Sequence, residues 1–258
     1  MAKVFLSAGH GGSDPGAVAY GMKEKDINLN IMLACRDELQ LHGVTVICSR
    51  TKDENDKVGN EVAEANASGA DIAVSFHTNA GGGDGSESYC NLNNADSKKL
   101  AELCEKYVKD IGQNSRGVKS GNHLYFIKKT KMTAVLCECA FIDNDKDNDI
   151  IDTTSEQKAF GLAYAKAILE YFGIGSNIVQ KPASTPTKTE TKDFKVEVSI
   201  PNLNIRKGPG TNYDRIGEFT GKGIFTIVET SSGKGSETGW GKLKSGKGWI
   251  SLDFAKKI

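Results

Sequence analysis

The sequence predicts an α/β domain followed by a small all-β barrel, and three observations support this. In the first two thirds of the 258-residue chain, short apolar strands alternate with longer amphipathic segments, as in a sheet covered by helices. From residue 194 onward, short β-like runs are separated by glycines. Between these regions, residues 175–193 are rich in Pro, Ser, Thr and Lys and have too little apolar content to form a core. We therefore predict a first domain at 1–174, a linker at 175–193 and a second domain at 194–258.

The individual elements follow from apolar runs and their periodicity. In the first domain the predicted strands are Lys3–Ser7, Val44–Cys48, Asp71–Phe76 and Ala134–Cys139, and the predicted helices are Asp26–Leu41, Val58–Ser68, Ser97–Ile111 and Glu156–Phe172. In the second domain the predicted strands include Lys195–Ile200, Gly223–Glu229 and Gly248–Ile250. Functional residues of α/β sheets collect at the carboxyl ends of the strands, so the residues that follow these strands are the first candidates for a site.

The apolar content bears on where the protein acts. Hydrophobic residues make up 38% of the chain, and no apolar run approaches the roughly 18 residues that a membrane span needs. The first residues lack the apolar segment of a secretory signal peptide. We therefore expect no membrane span and synthesis in the cytoplasm, with a separate exit route for any action outside the membrane.

The six cysteines are expected to be free thiols. They form no CxxC pair, and residues 140–258 contain none, which is unlike the disulfide framework of a small secreted domain. Cys137 and Cys139 could instead be metal ligands. Their spacing of two on a predicted strand favours a shared, buried face.

Charge is distributed unevenly between the two halves. Residues 1–175 hold 19 Lys and Arg against 25 Asp and Glu, a net charge of −6, whereas residues 176–258 hold 14 against 8, a net charge of +6. The basic end suits an anionic polymer, which it would attract over a long range. Solvated surface lysines explain the same excess equally well. The basic residues form no nucleic-acid-binding motif, so we predict no nucleic-acid partner.

Two of the four histidines occupy positions typical of a site. His10 follows the first predicted strand and His77 ends the third, while Glu24 lies just before the first helix. Neither histidine belongs to an apolar periodic face. Two imidazoles and one carboxylate form a catalytic zinc site that keeps one coordination position for water.

Glu138 is a second candidate, on an otherwise apolar strand between Cys137 and Cys139. Strand alternation should turn it away from both neighbours. Burying a lone carboxylate costs several kcal/mol or shifts its pKa. A role as a catalytic base would explain why the protein tolerates this cost. From spacing alone, a glutamate at the core edge paired with a lysine is as good an explanation.

Taken together, five stretches resemble the type 3 zinc-dependent N-acetylmuramoyl-L-alanine amidases of bacterial autolysins and phage endolysins. The stretches, which lie in order within residues 1–172, are Leu6–Gly16, Gly21–Asn28, Ser49–Asp53, Ala65–Ala80 and Ala134–Asn144. This resemblance implies a central, mostly parallel sheet flanked by helices. It also implies that bacterial peptidoglycan is the substrate, cleaved at the amide between N-acetylmuramic acid and L-alanine, and that the protein acts at the cell wall after release.

The resemblance also assigns residues. It implies Zn²⁺ ligands at His10, Glu24 and His77, and a catalytic glutamate at Glu138. Asn79 matches a residue near the family's site and is a weak candidate for a substrate contact. His123, in the polar stretch before Leu124, is a second weak candidate of that kind.

The second domain resembles bacterial SH3-like modules. The stretches that carry this resemblance are Leu203–Tyr213, Gly239–Gly241 and Gly248–Ile250. Such modules commonly bind cell-wall peptide or glycan. Its aromatic residues Tyr213, Trp240 and Trp249 could be binding platforms, although for the tryptophans a place in the barrel core is favoured.

Two other functions remain open from the sequence. The first is a zinc endopeptidase or carboxypeptidase that cuts within the stem peptide, which would use the same metal chemistry. The second is a non-catalytic wall-binding protein, against which the complete set of candidate residues argues.

Overall fold

The computed structural model describes residues 2–175, 193–211 and 213–258. The chain divides into two compact units, residues 1–176 and 177–258. The predicted linker at 175–193 falls almost entirely outside the described residues. In the part of the chain that is described, no helix is both long and apolar enough to cross a membrane.

The first unit is built on a six-stranded, mostly parallel sheet, as predicted. Its strands are β1 (Lys3–Ala8), β4 (Thr45–Cys48), β5 (Ile72–Asn79), β6 (Ser86–Cys90), β7 (Ser115–Ser120) and β8 (Thr133–Phe141), and a separate small hairpin is formed by β2 (Val18–Ala19) and β3 (Met22–Lys23). The strand order is β4-β1-β5-β8-β6-β7. Strands β4, β1, β5 and β8 are parallel, and β6 pairs antiparallel with β8. The carboxyl ends of β1, β5 and β8 therefore meet at one edge.

Helices cover both faces of this sheet unequally. They are α1 (Glu24–Leu41), α2 (Val58–Ser68), α3 (Ala95–Lys109), α4 (Tyr125–Lys129), α5 (Asp145–Ile151) and α6 (Thr154–Tyr171). The long helices α1 and α3 both pack against α6 on one face, whereas the shorter α2 and α4 contact each other on the opposite face. We call these the covered face and the open face. Caps fix where the helices begin: Asn94 accepts from Ser97 N at the start of α3, and Thr153 and Glu156 form a capping box at the start of α6.

Strand alternation assigns each residue to a face. In β8, Val135, Cys137 and Cys139 are fully buried in the core under α1, α3 and α6, while Leu136 packs towards α2 and α4. Glu138 follows Leu136 by two residues and therefore points to the open face, as predicted from alternation. The apolar cluster on that face stops at Leu136. Beyond it, towards the carboxyl ends of the strands, the open face is polar.

The second unit is an antiparallel sheet of seven short strands. They are β9 (Phe194–Val198), β10 (Asn204–Arg206), β11 (Arg215–Phe219), β12 (Gly223–Ser231), β13 (Trp240–Leu243), β14 (Trp249–Ser251) and β15 (Ala255–Lys257), in the order β11-β10-β14-β13-β12-β9-β15. They surround one apolar cluster that includes Val196, Ile227 and Ile250. Trp240 and Trp249 are buried, as favoured from the sequence, and Tyr213 remains 38% exposed.

Candidate active site

His10, Glu24 and His77 meet at the carboxyl edge of the sheet. Glu24 Oε1 lies 3.2 Å from His10 Nε2 and 3.1 Å from His77 Nδ1. One ligand atom from each of the three residues can be chosen so that all lie within 4.8 Å of one another. The structure therefore brings together the three residues that the sequence predicted as metal ligands.

Local structure differs from the prediction at two of these residues. Glu24 is the first residue of α1 and does not precede it, and His77 lies inside β5, two residues before its end at Asn79. The strand is longer than predicted because β8 continues to pair with it, with Glu138 opposite His77. Neither difference moves the residue away from the carboxyl edge.

Two glycines make room for this cluster. A Cβ atom on Gly9 would lie 2.1 Å from the His77 ring, and one on Gly16 would lie 2.5 Å from Glu24 Oε2 and 2.8 Å from His10 Cδ2. Only a residue without a side chain fits at either position. Between them, His10 has a left-handed backbone with φ 65°, which non-glycine residues rarely adopt. The loop is thus shaped around the three side chains.

A second layer of contacts orients the ligand atoms. His10 Nδ1 lies 2.9 Å from Asp14 Oδ2, which leaves Nε2 to face Glu24. Glu24 Oε2 accepts from Ala17 N at 2.9 Å, and Oε1 accepts from Thr78 N at 3.1 Å. A carboxylate on the outer nitrogen of a histidine is the usual support of a metal-binding imidazole.

Arg50 holds the loop that carries His10. Its guanidinium is buried and donates to the carbonyl oxygens of Ala8 at 2.9 Å and Lys25 at 2.7 Å. It thereby ties the end of β1 to the first turn of α1, the two segments that position His10 and Glu24. Sequence reasoning did not single out Arg50.

The charges of Glu24, His10 and His77 shift one another's pKa values. Burial alone would raise the pKa of Glu24, but hydrogen bonds from His10 and His77 outweigh it and hold this pKa well below its ordinary value. The hydrogen bond to Glu24 raises the pKa of His10 to about 9. Burial lowers the pKa of His77, yet its hydrogen bond to Glu24 leaves the value raised. A compact anionic oxygen between two imidazoles is suited to hold a cation.

The residues fit a zinc ion by donor chemistry and by access. Two imidazoles and one carboxylate are a known catalytic donor set for Zn²⁺. The Glu24 side chain is 7% exposed, while those of His10 and His77 are 27% and 20% exposed, so the cluster can be reached from outside. The glycine cradle leaves the three groups free to converge on one point.

Glu138 lies beside this cluster on the open face. It pairs in register with His77 across β5 and β8. Its Oε2 is buried and has no hydrogen-bond partner among the described residues, and burial raises its pKa to about 7. Among the described residues, no lysine pairs with Glu138. The alternative explanation, a structural glutamate paired with a lysine at the core edge, is therefore not supported. A carboxylate without a partner is available to a water molecule or to substrate.

A buried acid that sequence reasoning missed lies next to Glu138. Glu87 in β6 is only 3% exposed and is the direct antiparallel partner of Glu138. Glu87 Oε2 accepts from Arg116 Nε at 2.8 Å and from Lys119 Nζ. Its Oε1 accepts from Tyr89 OH at 2.7 Å and from Asn79 Nδ2 at 3.0 Å. We call Glu87, Tyr89, Arg116 and Lys119 the Glu87 cluster.

The two weak sequence candidates both adjoin the Glu87 cluster. Asn79 donates to Glu87 directly, and the exposed His123 ring lies edge-on to Tyr89 at a centroid distance of 6.0 Å. Among the described residues, neither side chain forms a hydrogen bond or ring contact with His10, Glu24 or His77. A role for Asn79 or His123 in substrate contact stays a prediction.

Comparison with known proteins agrees with both units. Residues 4–170 match the N-acetylmuramoyl-L-alanine amidase family, and residues 201–256 match the bacterial SH3 domain family. The chain is similar to a sporulation-specific N-acetylmuramoyl-L-alanine amidase of Bacillus subtilis strain 168, with 31% identity over 207 residues that cover 79% of each chain. It is also similar to the endolysin of Bacillus phage SPP1, with 34% identity over 198 residues, 73% of this chain and 71% of the endolysin.

A solved structure extends the similarity to the fold. The catalytic domain of CwlV, an N-acetylmuramoyl-L-alanine amidase from Bacillus (Paenibacillus) polymyxa var. colistinus, superposes with a TM-score of 0.63 at 30% identity. The match covers 67% of this chain and 99% of that domain.

Proposed function

The chain belongs to the N-acetylmuramoyl-L-alanine amidase family, and from this premise we propose that zinc, held by His10, Glu24 and His77, supports a hydrolysis in which Glu138 moves the protons. The chain is a peptidoglycan hydrolase that cleaves the amide between N-acetylmuramic acid and the L-alanine of the stem peptide. The observation that carries the proposal is the buried Oε2 of Glu138, which lies beside the His10–Glu24–His77 cluster and has no hydrogen-bond partner among the described residues.

Zinc, when bound, supplies Lewis acidity that polarises a carbonyl and makes a nearby water more acidic. The ligand residues contribute orientation. Asp14 keeps Nε2 of His10 turned inward, and Thr78 N fixes Oε1 of Glu24. These contacts preorganise the ligand residues, so little reorganisation is needed when substrate arrives.

Glu138 has the properties of a general base that later becomes a general acid. Burial raises the pKa of Glu138, and a carboxyl group whose pKa is raised towards neutral pH can both accept and return a proton. Its Oε2 would accept the proton of the attacking water, and the same oxygen would deliver it to the nitrogen of L-alanine as the amide breaks. The position of Glu138 opposite His77 places this proton carrier at the edge where the metal ligands converge.

The decisive experiment identifies the new chemical ends in digested walls. An amidase releases free amino groups on L-alanine with no new reducing sugar. A stem-peptide endopeptidase or carboxypeptidase leaves L-alanine bound to muramic acid, and a non-catalytic wall-binding protein produces no ends at all. Walls that lose turbidity while alanine stays blocked would refute the proposed bond.

Metal content is tested separately. Purified protein is expected to contain one zinc per chain, and His77→Ala should lose it. Chelation should abolish activity, and zinc should restore it. The control is His42→Ala, which removes a histidine that contacts Glu38 at 3.1 Å outside the site. Full zinc occupancy in His77→Ala would contradict the ligand set.

We further propose that the second unit holds the enzyme on the wall. The match to the bacterial SH3 domain family and the net charge of +6 over residues 176–258 support this. An anionic wall polymer is a candidate ligand because attraction between unlike charges would raise the local concentration of enzyme. The exposed side chains of Tyr213 and Phe219, 38% and 55% accessible, are available for contact.

Pelleting with purified walls tests the targeting role. A chain that ends at Gly175 should pellet less than the full chain, provided that a thermal melt shows it folded. Walls stripped of anionic polymer distinguish the ligands: if the polymer is bound, the full chain should pellet less, and added salt should weaken binding to intact walls. Equal pelleting of the short and full chains would refute the targeting role.

A further inference from the structure

The Glu87 cluster contains two cations and one carboxylate, and Glu87 is the direct antiparallel partner of Glu138. Arg116 Nε and Lys119 Nζ both donate to the same oxygen of Glu87. Two cations and one anion leave a surplus of one positive charge. The surplus is local, because residues 1–175 carry a net charge of −6.

Both cations remain accessible to a ligand. The side chains of Arg116 and Lys119 are 39% and 36% exposed, while that of Glu87 is 4% exposed. Among the described residues, only Nε of Arg116 is engaged in a hydrogen bond, so its two terminal nitrogens are free to donate. The Phe141 ring lies 5.1 Å from the guanidinium carbon, a contact that orients the group while leaving its edge open.

The order of groups across the open face gives the site a direction. His77 is on β5, Glu138 on the neighbouring β8, Glu87 on β6, and the cations on β7. In the scissile unit the order is the carbonyl on the sugar side, then the amine of L-alanine, then the rest of the peptide. With the carbonyl at the metal ligands and the amine at Glu138, the peptide would run towards Arg116 and Lys119.

We propose that Arg116 and Lys119 form a subsite for a free carboxylate of the stem peptide, on the residue that follows L-alanine. This inference rests on the proposed function, since the bond that is cut defines which part of the substrate lies there. The lactyl carboxyl of muramic acid is consumed in the amide, so the nearest free carboxylate belongs to the peptide. Strands β8 and β7 are two strand spacings apart, about 10 Å. Two extended residues span about 7 Å, and the side chains cover the remainder.

The experiment compares two forms of soluble, uncross-linked peptidoglycan strands. In one form the second stem residue carries its free α-carboxylate, and in the other this group is a carboxamide. The rate of release of alanine amino groups is measured at limiting substrate. The full-length protein is expected to cleave the carboxylate form about 10 to 100 times faster, the range that a charged hydrogen bond supports.

Variants assign the preference to the subsite. Arg116→Gln should bring the two rates to within about threefold, and Arg116→Lys should give an intermediate ratio because it keeps the charge but loses the planar fork. In Arg116→Gln, Glu87 retains Lys119, Tyr89 and Asn79 as partners, so no buried charge is left alone. Lys119→Gln tests independently whether the second cation contributes to the ratio of the two rates. Arg36→Gln, which removes an ion pair with Asp37 on α1, is the matched control and should keep the wild-type ratio.

The possible outcomes separate the two proposals. Equal rates on both forms for the wild-type protein, or a wild-type ratio in Arg116→Gln, would overturn the subsite proposal. The assignment of the cleaved bond would be unaffected. Failure of the wild-type protein to release alanine amino groups from either form would overturn the proposed function and the subsite with it.

Discussion

The two faces of the central sheet are made from the same strands and do different work. On the covered face, Cys137 and Cys139 are sealed beneath α1, α3 and α6. On the open face, Glu138 stands between them in sequence, and its Oε2 has no partner in the described chain. The covered face thus supplies stability, and the open face accepts a polar group whose burial is unfavourable. Alternation by one residue is enough to separate these roles.

The largest expected effect of breaking this division is on rate. Glu138→Gln keeps the shape of the side chain but cannot carry the proton, so the rate of wall hydrolysis should fall about 10²–10⁴-fold while zinc content stays unchanged. The matched control is Glu102→Gln, which alters an exposed glutamate on α3. Hydrolysis within a few-fold of wild type would remove Glu138 from the mechanism.

A change on the covered face should affect stability and spare chemistry. Leu100 on α3 is completely buried, and Leu100→Ala should lower the free energy of unfolding by about 2–5 kcal/mol through lost burial and the resulting cavity. Well below its melting temperature the variant should keep kcat near wild type. Leu41→Ala, at a leucine that is 82% exposed, should change stability little. If both variants lose the same stability, the covered face does not have the assigned role.

The unfavourable burial of Glu138 should be visible in the pH dependence of stability without metal. Burial raises its pKa from 4.5 to about 7. Below pH 4.5 the carboxyl is protonated in both states and costs nothing. Between pH 4.5 and 7 the unfolded chain ionises first, so the folded state loses relative stability.

Glu138→Gln avoids this loss. With chelator present, its advantage over the wild-type protein should grow from pH 4.5 to 7, reach about 1–3 kcal/mol, and stay constant above pH 7. Chemical denaturation across this range measures the difference. An advantage that does not change with pH would show that Glu138 is not held in its neutral form by burial.

The smallest expected effect concerns a helix that seals the covered face. Asn94 accepts from Ser97 N at 2.9 Å and caps α3. Asn94→Ala should cost about 1 kcal/mol, and Asn94→Asp should restore most of it. Thermal melts with zinc present measure both. If Asn94→Ala left the stability unchanged, packing alone would fix the start of α3.

Sequence patterns predicted the placement of these residues where local rules decide it. Alternation placed Glu138 on the other face of the sheet from its two cysteine neighbours. The positions of His10 and His77 near strand ends predicted that they lie at the same edge. The strand β6 was missed because Ser86–Cys90 alternates small polar residues with a glutamate and a tyrosine, which resembles a loop. It is a strand because its neighbours pair with it, and that information is not local.

The Glu87 cluster was missed for the same reason. Nothing near Glu87 in the sequence indicates that β6 runs antiparallel to β8, yet that pairing is what sets Glu87 against Glu138. Arg116 and Lys119 read as ordinary surface cations until β7 is placed beside β6. The predicted linker, residues 175–193, lies almost entirely outside the described residues, and its role stays a prediction.

The distribution of cysteines gives the molecule a chemical marker for one of its two units. All six thiols lie in the first unit. Five are buried, and burial raises the pKa of the sixth, Cys48, to about 11. Alkylating reagents attack the thiolate, so the folded protein should label slowly at neutral pH and the unfolded first unit quickly. Residues 140–258 contain no cysteine, so melting of the second unit would be silent to the reagent. Labelling kinetics would therefore time the opening of the catalytic unit within the intact protein, with no engineered probe.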